Sequence, residues 1–284
     1  MKEAAKASSL DTGRAVSSFY FHRLLCRVFA DGNEAFVLKG GQSMLARTLD
    51  ARATRDIDLL SVQVDLDAAL KDLLDASRKD LGDFVTFELV ETRPIKANDE
   101  YRSGLSVRLA PIIGAKRMQD ISVDLVVDQV PLDCVEIVTP ADRIEVNGVQ
   151  VCDYLVYPVE NALADKLSAL IERHGGRASS RVKDLVDIAV YATTCNIDGD
   201  RLQETIRHEI AIRKLNPIEA FAVPQDWGSA QSRQFSKLCM QTGLPDSCRT
   251  LDSAVALASA LFDPAIRMAT ANMHWQCSAC EWHS

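Results

Sequence analysis

Residues 38–60, LKGGQSMLARTLDARATRDIDLL, decide how the rest of the chain is read. A short apolar run, Phe36–Lys39, stops at Gly40-Gly41, and residues 42–49 then take on a helical pattern. Two residues without a Cβ at a strand-to-helix junction let an anion approach the backbone beside the unpaired N–H groups of a helix N-terminus. A Gly-Gly pair can equally be a simple turn. Downstream, Asp56-Ile57-Asp58 opens a second apolar run, Ile57–Val62. In a strand, residues i and i+2 point to one face about 6.6 Å apart. Asp56 and Asp58 therefore share a face, and Ile57 and Leu59 anchor the other in a core. Like charges held so close repel unless a cation lies between them. Mg²⁺, a hard cation, takes one or two carboxylates together with phosphate oxygens. The ordinary alternative is a solvated strand end.

A third carboxylate changes the balance. Residues 121–127, ISVDLVV, form an apolar strand with a single charge, Asp124, at its centre. An unpaired carboxylate in such a strand is costly, so it should pair or ligate a metal. If this strand neighbours 57–62, Asp124 lies about 5 Å from the Asp-x-Asp pair across the ladder. Asp128, at the strand end, is the rival third ligand. Three such carboxylates would suit two-metal phosphoryl or nucleotidyl transfer, one ion activating the attacking oxygen and the other steadying the leaving phosphates.

Working outward, residues 16–30 read as an opening amphipathic helix, and 66–78 as another. Phe84–Glu91, Leu105–Leu109 and Ile121–Val127 read as strands, with Val149–Tyr154 as a further one closing the sheet. The pattern changes at Pro158. Residues 159–173, 181–194, 200–214, 229–241 and 250–262 all read as helices, while 140–148 and 216–228 read as loops. The expected fold is therefore α+β: a mixed sheet with flanking helices over 1–157, N-terminal helix included, then an all-helical domain over 158–284.

Two features of the helical half bear on chemistry. In 159–173 the apolar stripe is Val159, Leu163, Leu167 and Leu170, with Lys166 and Arg173 along its edge. Their stems can bury while their heads reach a cleft. In Arg181-Val-Lys-Asp184-Leu-Val-Asp187 the two carboxylates share one helix side and can pair with Lys166 or Arg181, or simply favour the helix dipole. The loop Arg173-His-Gly-Gly-Arg177, with Arg181 and Lys183, is the densest basic patch and the candidate for triphosphate or RNA-backbone contact.

The combination of KGG, a helix, RxTxDID (Arg52 to Asp58), the strand bearing Asp124, ADKLSAL (164–170) and KDLxD (183–187) resembles the AbiEii/AbiGii nucleotidyltransferase toxins of the polymerase-β-like superfamily. The resemblance runs from about Phe36 to Ala192. It implies a nucleotidyltransferase core and transfer of nucleotide from an NTP to RNA, such as the acceptor end of a tRNA, halting translation in a toxin–antitoxin or phage-defence setting. It implies Mg²⁺ or Mn²⁺ held by Asp56, Asp58 and Asp124. Gly40, Gly41, Thr54, Arg55 and the nearby Lys39 would lie around the nucleotide, with Lys166, Arg173 and Arg181 on its phosphates. Asp184 would support Lys166 or the acceptor. The implied partner is an antitoxin, often a winged-helix regulator.

Composition sets the outer bounds. The 284 residues are 47% hydrophobic and 25% charged, which excludes general disorder, collagen and coiled coil. The net charge of −8 means that any RNA contact must use a local patch. It also keeps open a protein or small-molecule acceptor, or an inert nucleotide-binding protein. Residues 1–14 lack a signal-peptide core, and no stretch approaches the ~20 apolar residues of a membrane span, so a cytoplasmic location is expected. The eight cysteines read as buried, reduced thiols. His22, His174 and His208 read as surface residues. The tail HWQCSACEWH spaces His274, Cys277, Cys280 and His283 evenly. It lacks the second ligand pair of usual zinc sites and is expected to fray.

Overall fold

The computed structural model describes residues 12–95, 102–128, 134–143, 146–173 and 178–284. By their contacts they fall into two units, residues up to 48 together with 53–157, and residues 49–52 together with 158–284.

The first unit is built on strand alternation. β2 (Asp56–Ser61) and β6 (Ile121–Asp128) bury Ile57, Leu59, Ile121, Val123 and Leu125 on one face, and carry their polar residues on the other. The sheet is completed by β1 (Phe36–Lys39), β3 (Val85–Pro94), β4 (Arg102–Ile113), β5 (Lys116–Arg117), β7 (Glu136–Val138) and β8 (Tyr154–Val156). Its order is β3-β4-β6-β2-β1-β8-β7, with β5 paired to β4. β2 runs parallel to β6 and antiparallel to β1, while β1 runs parallel to β8, so the sheet is mixed. The apolar face is covered by α1 (Thr12–Val28) and α3 (Leu66–Ser77), whose Leu24, Leu25, Val28, Ala69 and Leu73 are fully buried. Between β1 and β2 lies α2 (Gly40–Arg47).

Three expectations need correction. The strand expected at 149–154 is instead Tyr154–Val156, and the Gln150 carbonyl accepts from Arg23 Nη1 rather than joining a ladder. β4 continues past the expected end at Leu109, because Pro111 sits opposite Phe87 without ending the pairing. His22 is not a surface residue. It is 5% exposed, with Nδ1 2.6 Å from the Tyr154 hydroxyl and Nε2 3.2 Å from Asp142.

The second unit contains α4 (Val159–Ile171), α5 (Val182–Thr194), α6 (Gly199–Ile212), α7 (Ser229–Cys239) and α8 (Leu251–Ile266). Thr250 and Asp198 accept hydrogen bonds from the first turns of α8 and α6, ordinary N-cap chemistry. The unit is not all-helical. β9 (Ile197–Asp198), β10 (His274–Gln276) and β11 (Glu281–His283) form a three-stranded sheet. The tail does not fray, because its two tryptophans pay for order: Trp275 is fully buried and donates to the Ala192 carbonyl, and Trp282 donates to that of Leu261. The cysteines are free thiols, but only Cys26 and Cys239 are fully buried and Cys134 is exposed. Among the described residues no helix is long and apolar enough to cross a membrane.

Candidate active site

The polar face of the first unit's sheet gathers the acidic residues through register. Along β2, Asp56 is exposed and Asp58 half-buried, while Ile57 between them is fully buried. In the parallel ladder Asp58 is the direct partner of Asp124, and Asp56 that of Ser122. Adjacent strands are about 4.8 Å apart, so Asp58 and Asp124 stand side by side on one face. The antiparallel ladders extend the row, with Lys39 opposite Asp58 and Ser106 opposite Asp124.

Both glycines earn their place here. Gly40 begins α2 with φ +65°, where an L side chain is strained, and a Cβ on it would overlap Asp58 Oδ2. The Asp58 carboxylate thus lies against the start of α2, where backbone N–H groups have no helical acceptor. A Cβ on Gly41 would lie 2.9 Å from Thr54 Cβ, so Thr54 packs against the same turn. Thr54 is half-buried and donates to the Asp56 carbonyl, and Arg55 is exposed. Lys39 Nζ sits 4.0 Å from the centroid of the Tyr157 ring, a cation–π contact.

The donors on this face are carboxylate and hydroxyl oxygens, which suit Mg²⁺ or Mn²⁺ better than softer metals. Among the described residues no three His, Cys, Asp or Glu side chains stand close enough to form a metal cage. The chain by itself therefore offers a partial ligand set. That set fits an ion that takes one or two carboxylates and fills its remaining positions with water and phosphate oxygens. The side chain of Asp128 lies outside the described residues.

The remaining candidates cluster within the second unit. Lys166 on α4 donates to Asp187 Oδ2 at 2.7 Å and contacts Asp184 Oδ1 at 3.4 Å, both on α5. Arg52 grips Asp187 with two bonds, Nε to Oδ1 at 2.8 Å and Nη2 to Oδ2 at 2.9 Å. Arg181, at the N-cap of α5, donates to Asp184 Oδ2 at 2.5 Å. Burial disfavours the Lys166 ammonium, but the charges of Asp187 and Asp184 outweigh it and raise its pKa. Burial likewise pushes the Asp184 carboxyl up, while Lys166 and Arg181 bring it below its usual range. The cluster therefore keeps its charges through the physiological range. Sequence spacing exposes the Lys166–Asp184–Asp187 relation, but nothing in the sequence places Arg52 on Asp187. Arg173 is exposed just beyond α4, and residues 174–177, the centre of the basic loop, lie outside the described residues.

Comparison with known proteins gives the following. No curated protein matches the sequence at a significant level. Among solved structures, JHP933 from Helicobacter pylori is 14% identical with a TM-score of 0.44, covering 92% of this chain and 96% of that one. An inferred nucleotidyltransferase from H. pylori is 15% identical with a TM-score of 0.43, covering 90% and 97% respectively. Neither likeness is close enough to carry an argument. The family described as "Nucleotidyl transferase AbiEii toxin, Type IV TA system" matches residues 23–266, and the chain belongs to this family of nucleotidyltransferase toxins.

Proposed function

We propose that the chain is a cytoplasmic, Mg²⁺- or Mn²⁺-dependent toxin that transfers nucleotide from an NTP to RNA, with the acceptor end of tRNA as target, and so blocks translation as part of a phage-defence system. The observation that carries this reading is Asp58, held between Gly40 and the neighbouring Asp124. In the reaction an acceptor hydroxyl oxygen forms a bond to the α-phosphorus, the bond to the β-phosphate bridge breaks, and pyrophosphate leaves while the hydroxyl gives up its proton. Asp58, Asp124 and Asp56 are the residues that would hold divalent ions, which supply charge neutralisation and an activated oxygen nucleophile. Gly40 and Gly41 leave room for phosphate at the first turn of α2, with Thr54 and Arg55 at its edge and Lys39 nearby. In the second unit, Lys166 is kept protonated by Asp187 and Asp184, and is the compact cation suited to a triphosphate. Arg173 and Arg181 are assigned to phosphate contacts with it.

The family implies an antitoxin partner, and a winged-helix regulator is proposed for it. A protein or small-molecule acceptor is the second reading, favoured by the net charge of −8, since RNA binding rests on phosphate neutralisation.

Incubation of the purified protein with α-labelled NTPs, Mg²⁺ and total cellular RNA tests both. Label is expected in RNA, and lost with Asp58→Asn. Label confined to protein or small metabolites would establish the second reading. Absence of label in every fraction, with growth inhibition unchanged by Asp58→Asn, would defeat both.

A further inference from the structure

The first unit holds a cavity of about 640 Å³ between the N-terminal half of α1, residues 54–55 ahead of β2, and residues 118–121 at the start of β6. That volume lies within the roughly 300–1,000 Å³ of small-molecule sites. Its walls are mainly apolar, from Tyr20, Phe21 and Met118, with Ser17 and Gln119 adding polar atoms. Tyr20 is 3% exposed, and its hydroxyl is buried without a hydrogen-bond partner. An orphaned buried hydroxyl costs about 1–3 kcal/mol, and such groups usually have a partner. Burial raises the Tyr20 pKa, which keeps the phenol protonated and able to donate.

The charges around the cavity exclude an anion in its interior. Asp120 in the wall is engaged by Arg117 at 2.8 Å, and the cation of the lining, Arg55, is an exposed residue. A burial-tolerant ligand here must be neutral, largely apolar and equipped with a hydrogen-bond acceptor. Any charged part of it must remain outside. The position adds a second constraint. Thr54 and Arg55 line the cavity, and the next residue is Asp56, about 3.8 Å farther along the chain.

We infer that this cavity receives a nucleobase, with the Tyr20 hydroxyl donating to a ring nitrogen or carbonyl, while the attached phosphates stay outside near Asp56. The inference rests on the transferase reading and extends it to the part of the substrate that is recognised. The base has two sources, a free NTP or the terminal nucleotide of an RNA acceptor.

Calorimetric titration of the full chain in Mg²⁺ separates them, using the four NTPs, inorganic tripolyphosphate as a ligand without a base, and a short single-stranded RNA. Two variants address the cavity. Tyr20→Phe removes only the hydroxyl, and Ser17→Trp fills the space from α1. Tyr20→Phe is expected to weaken the best-bound NTP by about two- to ten-fold, the range one hydrogen bond supports, and to leave tripolyphosphate unchanged. Ser17→Trp is expected to bring NTP affinity down to that of tripolyphosphate. If the losses appear with RNA and not with NTPs, the base is the acceptor's, and the assignment stands. If both variants melt like the wild type and bind NTPs and RNA as it does, the cavity is not a base site and the inference falls, while the transferase reading survives. If the wild type binds neither NTPs nor tripolyphosphate, the transferase reading fails, and this inference falls with it.

Discussion

Gly40 and Asp58 are fitted to one another: a single Cβ on the glycine would overlap the Asp58 carboxylate. Gly40→Ala is therefore expected to displace Asp58 and also to strain a residue with φ +65°. Strain of that kind costs about 1–2 kcal/mol, and misplacing a reacting group costs on the order of 100-fold in rate. Gly41→Ala meets only Thr54 Cβ at 2.9 Å and should be the milder change. Labelled-nucleotide transfer beside thermal melting measures both. Equal activity in Gly40→Ala and wild type would remove Asp58 from the chemistry.

Asp58 and Asp124 are direct partners in a parallel ladder, where like charges oppose one another at a cost of about 0.2–1 kcal/mol. Asp124→Asn is expected to melt no lower than the wild type in EDTA, yet to lose nucleotide transfer. It is also expected to lose the upward shift in melting that Mg²⁺ gives the wild type. Melting curves with and without Mg²⁺ check this. A wild-type protein indifferent to Mg²⁺ and Mn²⁺ would overturn the metal assignment.

Much of this face was legible in advance, because ISVDLVV and DIDLL alternate between buried apolar and polar positions as half-buried strands do. What alternation cannot supply is register. The pairing of Asp58 with Asp124 depends on β2 and β6 being neighbours, which sequence reading could only suppose. The tail was misread for a different reason. Its evenly spaced His and Cys residues drew attention away from Trp275 and Trp282, which pair across a hairpin at 5.6 Å between ring centroids. Tyr20 gave no signal at all, since an orphaned hydroxyl is a property of packing and not of residue type.

Asp187 is 1% exposed and accepts from both Lys166 and Arg52. Asp187→Ala strands two cations, and breaking such a buried pair costs about 3–5 kcal/mol. Lys166→Met leaves the Arg52–Asp187 and Arg181–Asp184 pairs in place and is expected to cost less stability while still abolishing transfer. Denaturant unfolding of the two variants separates the structural role from the chemical one. A Lys166→Met protein that is stable and fully active would exclude the lysine from the reaction.

Acid stability should depend on Asp83. Burial pushes its carboxyl up, but bonds from Arg27 and Arg23 outweigh this and bring it down to about 2. Because the folded pKa lies below the unfolded one, the stabilisation is present above about pH 4 and fades as pH falls toward 2. Asp83→Asn should cost about 2 kcal/mol at neutral pH and progressively less in acid. Asp184 acts in the same direction. Lys166, whose pKa is raised, contributes fully below its ordinary value and loses that contribution only in strong alkali. Urea unfolding at neutral pH and near pH 2 tests the sign.

Trp275→Ala should destabilise the second unit by about 3–5 kcal/mol, the range for truncating a buried aromatic, and it also leaves the Ala192 carbonyl without its indole donor. A melting temperature unchanged by this substitution would show the hairpin to be dispensable.

The tetrapeptide Leu49–Arg52 belongs with residues 158–284, although the chain on either side of it belongs to the other unit. Its Arg52 holds Asp187, and its Asp50 carbonyl accepts from Gly243 N–H. Cutting the gene after residue 157 would therefore not yield two self-sufficient modules: the downstream fragment would lack the guanidinium that neutralises Asp187. Recombination that exchanged one half between relatives would have to respect this borrowed segment, so the two halves are expected to be inherited together.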